Sequence, residues 1–305
     1  MRVLITGGTG LIGRALSATL VTDGHDVTVL SRDPIETLSM PDGVLLYRWD
    51  AKSADGWGQL VDGVDTIINL AGAGIGDKRW SKQRKEKIRA SRIQAGRAVM
   101  AAINAAEHKP HTLIQASAVG YYGGQTNDVE LTEASPRGDD FLAGVCFDAE
   151  ISTAPASELG IRRPIIRTGV VFSTEGGAFP RLKAPFNFFA GGPQGSGDQW
   201  LPWIHIEDTV RAIQFLLADE GADGPFNLCG PNPVRNQELA ETLADVMGRT
   251  SFLRAPGFAV RPVMGEMATI VLEGQQAVPA RLLDRGFAFK HPELKSAVRD
   301  LLGLE

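Results

Sequence analysis

The sequence predicts an α/β protein: a doubly wound parallel Rossmann sheet with a smaller, mainly helical carboxy-terminal substrate lobe. Three observations carry that expectation. Short apolar runs alternate with longer segments of helical period as far as Val171. A glycine-rich turn joins the first run to the first helical segment. Beyond Val171 the alternation stops, and glycines and prolines crowd into the chain.

Residues 2–6 read as the first strand, 11–21 as a helix and 26–30 as the second strand. Further strands are expected at 44–47, 66–70, 112–116 and 163–171, with helices near 81–106 and 141–158. Repeated strand–helix units of this kind bury both faces of a parallel sheet. Gly176, Gly177, Gly191, Gly192, Gly195 and Gly197 then mark long loops around 179–190, followed by helical patterns at 206–217, 236–247 and 293–302. The expected division is a Rossmann domain over 1–172, its sheet open to completion from 203–230, and a lobe over 173–305 that covers the sheet's carboxyl edge.

A chain of 305 residues with net charge −5 buries a large core and offers no basic tail or stripe for nucleic acid, so a small-molecule partner is favoured. Cys146 and Cys229 are far apart and in no metal-type spacing, which reads as two reduced thiols, a reducing compartment and no metal site. The opening apolar run is too short for a signal peptide and no stretch is long enough to span a bilayer, so a cytoplasmic protein is expected, with no membrane partner.

The first turn contains Gly7, Gly8, Thr9, Gly10, Leu11, Ile12 and Gly13. Leaving a strand and opening a helix, it is where free amides and the helix dipole receive a pyrophosphate; without a ligand it would serve only to pack a helix on the sheet. The end of the second strand decides between NAD and NADP, because an acid there binds the ribose 2′-hydroxyl. Here stand Ser31 and Arg32, a hydroxyl and a guanidinium suited to a 2′-phosphate, so NADP(H) is expected. The alternatives for Arg32 are a solvated loop cation or stacking on adenine, and Asp33 adds a nearby acid. Asp50 is placed to accept from the adenine amino group, or is a surface carboxylate. Leu70, Ala71 and Gly72, after Asn69, let a ribose lie against the backbone, or simply pack.

The fingerprint TGGTGLIG, the later NLAG and SAVGYYG together resemble the extended short-chain dehydrogenase/reductases, the superfamily of NAD(P)-dependent epimerases and dehydratases. More narrowly, SRIQAGR, FLAGVC, RTGVVF, GGPQGSGDQWLPWIHIEDTV, GPNPV and the ending GEMATIVLEGQQAVPARLLDRGFAFKHPEL resemble the SDR39U1-like epimerase family. The resemblance implies that Arg92 on the long helix, Val171 after the sixth strand, and Lys87 approach NADP. It also implies a catalytic serine, a tyrosine, and a lysine four residues beyond that tyrosine. Ser117 fills the serine place, but counting back from Glu150 puts Leu142 and Cys146 at the other two. Leucine has no proton to transfer, and a thiol does not replace an ammonium beside the nicotinamide ribose. Tyr121 and Tyr122, on the loop after Ser117, are the candidate substitutes, or they pack the loop.

Trp200, Trp203, His205, Glu207 and Asp208 form a further cluster. His205 reads as an acid or base of a pocket, or as a hydrogen-bonded structural histidine; the two acids equally suit a helix start. The expected function is an NADP(H)-dependent oxidoreductase or epimerase-like enzyme, the alternative a non-catalytic NADP(H)-sensing protein. The long helices at 81–106 and 141–158 form a homodimer face or cover the sheet.

Overall fold

The computed structural model describes residues 1–33, 40–125 and 127–304. Its centre is a seven-stranded sheet in which every neighbouring pair runs parallel. The strands are β1 (Arg2–Thr6), β2 (Asp26–Ser31), β3 (Leu45–Arg48), β4 (Thr66–Asn69), β5 (Thr112–Ala118), β6 (Pro164–Thr168) and β7 (Gly224–Leu228), in spatial order β7-β6-β5-β4-β1-β2-β3. The order reverses between β1 and β4, and in doubly wound sheets that reversal opens a crevice at the carboxyl ends of the strands.

Both faces are covered, as an all-parallel sheet requires. Val3 and Ile5 of β1 face one core with Val27, Val29, Ile68, Ile114 and Ile166, closed by α1 (Leu11–Thr22) through Leu16 and Leu20 and by the helix Ile206–Ala218 through Ile213 and Leu216. Leu4, between them, faces the opposite core with Leu30, Ile67 and Leu113, against α2 (Lys82–Ala105) through Ala95, Val99 and Ile103. This is the period-two alternation of a strand buried on both sides. Ser81 starts α2 by accepting from the Arg84 amide at 3.1 Å.

Two expected elements are divided. The strand expected over 163–171 ends at Thr168, because Gly169 lies flush against the Pro202 carbonyl where no side chain fits. The chain steps off the sheet there, and Val170–Phe172 pairs with Trp203–His205 instead. The helix expected over 141–158 is α3 (Phe141–Ile151) followed by a separate turn at Pro155–Glu158, since Pro155 has no amide to continue the ladder. Beyond the sheet, Phe172, Phe179, Phe186 and Trp203 build a third core with Leu239 and Leu243 of Asn236–Met247 and Val298 of Leu294–Leu301. Among the described residues no helix is long and apolar enough to cross a membrane.

Candidate functional site

At the start of α1 the glycines divide by what surrounds them. A Cβ on Gly13 would lie 2.5 Å from the Gly8 Cα, and one on Gly8 would lie 2.6 Å from Val29, so both hold the helix tight against β1 and β2. Gly7, at φ +69°, turns the chain against Leu70, where a Cβ would sit 2.8 Å from the carbonyl. Gly10 differs: the Gly7 carbonyl oxygen, at 3.3 Å, is the one neighbour a Cβ there would meet within 4 Å. Gly10 is also the residue that opens α1, with no side-chain cap and no acid in the first turn. The helix therefore presents unfilled amides and its positive dipole end beside open space, which is the chemistry of an anion site.

Next to this turn lies a cleft of about 330 Å³ at the carboxyl ends of β4, β5 and β6. Its walls include Ile12 of α1, Leu70 to Ile75, Arg92 of α2, Ala116 to Gly120, and Leu142, Val145, Cys146 and Ala149 of α3; Thr269, Ile270, Glu273 and Gln275, from far along the chain, also line it. The strand ends are tied together beneath it: Thr6 donates to Asn69 at 2.6 Å and Asn69 to Gln115 at 2.8 Å. Arg92 Nη1 donates to the carbonyls of Ala73 and Ile88 at 3.0 and 2.9 Å, and among the described residues no carboxylate pairs with it. Burial lowers the pKa of this guanidinium, with the neighbouring Cys146 acting the other way.

The floor of the cleft rests on a buried polar network. Ser117 donates to Glu150 at 2.7 Å, and Glu150 receives Arg167 through two bonds of 3.0 Å. Arg167 also donates to the Tyr122 hydroxyl at 3.1 Å, which in turn donates to Asn227 at 2.7 Å. Burial alone would lower the Arg167 pKa; the hydrogen bond and charge of Glu150 outweigh it, so the guanidinium titrates above its usual value. Burial pushes the Tyr122 phenol up to about 12 despite its bond from Arg167, and the Cys146 thiol up to about 11 despite Arg92.

Several sequence expectations are relocated by this geometry. Ser117, Leu142 and Cys146 line the cleft together, whereas neither Tyr121 nor Tyr122 does. Tyr122 is buried with its hydroxyl occupied, and the Tyr121 ring stacks on the Arg167 guanidinium 3.4 Å from its centroid, so both tyrosines belong to the supporting layer. Leu70, Ala71, Gly72, Arg92 and Ile12 are at the cleft, but Lys87 is exposed on α2 outside its lining. At the sixth strand it is Val170 that lines the cleft; the step at Gly169 turns the Val171 side chain onto the first core. Ser31 is buried as the last residue of β2 and Arg32 is exposed just beyond it. Asp50 accepts from the amides of Ser53 and Lys52 at 2.8 and 2.7 Å, which hold its carboxyl below the usual range.

The cluster around His205 does not line the cleft. His205 is buried and caps Ile206–Ala218: its Nδ1 accepts from the Glu207 amide at 3.1 Å. Asp208, fully buried, accepts from the Lys290 and His291 amides at 2.8 Å, clamping the tail of the chain to that helix. His205, His291 and Asp300 bring three metal-type atoms within 4.8 Å. With Nδ1 already accepting, however, neutral His205 carries its proton on Nε2, toward Asp300, and has no lone pair there for an ion. Sequence reasoning missed Glu273, Gln275 and the Glu150–Arg167 pair; for Glu150 the only signal was its place beyond the absent lysine.

Fold and cleft together define a Rossmann-type protein of the epimerase/dehydratase class, and the model of the NAD dependent epimerase/dehydratase family matches residues 3–152. Residues 255–301 match a domain of unknown function, DUF1731. The chain belongs to the SDR39U1 epimerase family. It is 39% identical over 312 residues to the chloroplastic SDR39U1 homolog of Arabidopsis thaliana, covering 99% of this chain and 87% of that protein. An epimerase family protein of Staphylococcus saprophyticus is also 39% identical, over 98% of both chains. Among solved structures, human SDR39U1 (isoform 2) with NADPH superposes with a TM-score of 0.89 at 33% identity, over 99% of both chains. A nucleoside-diphosphate sugar epimerase of Corynebacterium glutamicum gives 0.80 at 36% identity, covering 99% of this chain and 58% of that one.

Proposed function

We propose that the chain binds NADP(H) along the carboxyl edge of its sheet and acts as an oxidoreductase or epimerase-like enzyme on a small molecule. The observation that carries this reading is the uncapped start of α1 beside Gly10, open where the other glycines of the turn are closed. The NADPH in the human SDR39U1 structure supports it. In this reading Gly7, Thr9, Gly10, Leu11, Ile12 and Gly13 receive the pyrophosphate. Ser31 and Arg32 receive the 2′-phosphate, and Asp50 borders the adenine. Leu70, Ala71, Gly72, Arg92 and the backbone at Val171 border the nicotinamide half. The bound cofactor supplies the hydride. The chain holds it, shields it between α3 and the 269–275 segment, and keeps the Ser117 hydroxyl fixed on Glu150 at the cleft floor.

A second reading, an NADP(H)-sensing protein without catalysis, is favoured by one observation. Leu142 and Cys146 line the cleft at the places where the family resemblance puts a phenol that transfers the proton and an ammonium that lowers its pKa, and the Cys146 thiol is pushed up to about 11 by burial. Single-turnover oxidation of bound NADPH against a panel of carbonyl compounds separates the two. Turnover that falls in Ser117→Ala supports the enzyme; no turnover across the panel supports the sensor. A rate unchanged in Ser117→Ala removes the proposed floor of the site.

A further inference from the structure

Glu273 is the charge in the cleft that the reading above leaves unused. It arrives from the carboxy-terminal lobe on a segment fixed from both sides: the Gln125 amide donates to the Gly274 carbonyl at 2.9 Å, and Gln275 Nε2 donates to the Gly123 carbonyl at 2.9 Å. Gly274 itself lies flush on the Trp200 backbone, where no side chain fits. The half-buried Glu273 carboxylate is held over Gly124, so close that a methyl group there would collide with it. A carboxylate set on a bonded backbone is preorganised in a way that a surface glutamate on a free rotamer is not. Among the described residues nothing donates to it or pairs with it.

The rest of the lining sets what Glu273 can recognise. Arg92 is the one cation lining the cleft among the described residues, against Asp140 and Glu273, so acids outnumber cations there. Asp140 is already engaged, accepting from the Ala143 amide at 2.8 Å and the Gly124 amide at 2.9 Å. Arg92 lies on the other wall beside Gly72, where the proposed function places the cofactor. A diphosphate is held by helix-start amides or by guanidinium and ammonium groups; the α1 amides and Arg92 are given to the cofactor above, and among the described residues the cleft lining holds no further cation. The rest of the lining is mostly apolar, with Ile270, Leu142, Val145 and Val119, and its uncharged polar side chains are Ser117, Thr168, Thr269 and Gln275.

We propose that Glu273 is a specificity-determining residue, and that the cleft takes a small, mostly apolar substrate bearing a protonated amine rather than a nucleoside-diphosphate sugar. The inference rests on the cofactor placement just proposed. It is tested by titrating the full chain, with and without saturating NADPH, with benzylamine, benzoate and UDP-glucose, followed by ligand-observed NMR. Benzylamine is expected to bind at least about tenfold tighter than benzoate, the worth of one charge-assisted hydrogen bond. Glu273→Gln abolishes that preference, and Glu273→Asp, which keeps the charge, retains part of it. Gly124→Ala, which displaces the carboxylate without removing it, weakens benzylamine as well. Benzoate or UDP-glucose binding as tightly as benzylamine overturns the inference, as does a preference that survives Glu273→Gln or no benzylamine binding to either form. If NADPH fails to bind, the proposed function falls, and the titration of the cofactor-free chain still decides the role of Glu273.

Discussion

Replacing Gly10 and Gly13 by alanine, one at a time, separates what the glycine turn does for the fold from what it does for a ligand. At Gly13 the new Cβ stands 2.5 Å from the Gly8 Cα and 2.7 Å from the Gly7 oxygen, all backbone atoms that cannot rotate away. Overpacking of this kind costs about 1–3 kcal/mol, while alanine in a helix returns about 1 kcal/mol over glycine. The balance is a loss of up to about 2 kcal/mol in urea unfolding, with the turn pushed off β1. At Gly10 the backbone sits at φ −77° and ψ 176°, which alanine adopts freely, and the nearest contact is 3.3 Å. Stability should stay within about 0.5 kcal/mol of the parent. The same methyl group occupies the approach to the α1 amides, and losing one or two charge-assisted bonds there costs about 2–4 kcal/mol, a 30- to 1000-fold loss of NADPH affinity. The assay is quenching of intrinsic fluorescence by NADPH beside a urea melt of each variant. A Gly10→Ala protein that is stable and binds NADPH within about threefold of the parent would refute the placement of the pyrophosphate.

Glu150→Gln leaves Arg167 charged and unpaired, in a site where the two side chains are 9% and 5% exposed, and should cost about 3–5 kcal/mol in urea unfolding; a loss under about 1 kcal/mol contradicts the buried network. Tyr122→Phe strands the Asn227 oxygen, and a loss of about 1–3 kcal/mol is expected, with no change in the pH dependence of any turnover; a shifted pH profile would return the phenol to the chemistry. His205 has its pKa lowered by burial and then by His291, with Asp300, Asp208 and Glu207 pulling the other way. The unfolded chain then takes up a proton that the folded one refuses, so stability is full above the unfolded value of about 6.5 and falls as pH drops through it toward the lower folded value. His205→Asn keeps an acceptor for the Glu207 amide and should flatten that limb of a plot of Tm against pH; a limb of equal slope in the variant assigns it to another group.

What the sequence disclosed follows from how local each signal is. The strand over Arg2–Thr6, the turn and α1 are legible because apolar period and glycine spacing act within a dozen residues. Asn236–Met247 emerges at its expected bounds for the same reason. The break at Gly169 was not legible, since its cause is the Pro202 carbonyl on a neighbouring segment. Tyr122 reads in sequence as a candidate proton donor or as packing of its loop; only the fold brings Arg167 and Asn227 to its hydroxyl. Glu273 and Arg92 lie far apart along the chain, and no spacing rule joins two walls of a cleft contributed by such distant segments.

NADP(H) binding at the α1 turn, with Arg32 on the 2′-phosphate, is the claim on which the rest depends. Its most direct test is a calorimetric titration of the full chain with NADPH and with NADH, repeated in Arg32→Ala. NADPH should bind at least about tenfold tighter than NADH, a gap of about 1.4 kcal/mol that one guanidinium–phosphate contact can supply. Arg32→Ala should lower the affinity for NADPH and leave that for NADH unchanged. Equal affinities in the parent protein, or an Arg32→Ala variant that keeps the full preference, would contradict the account.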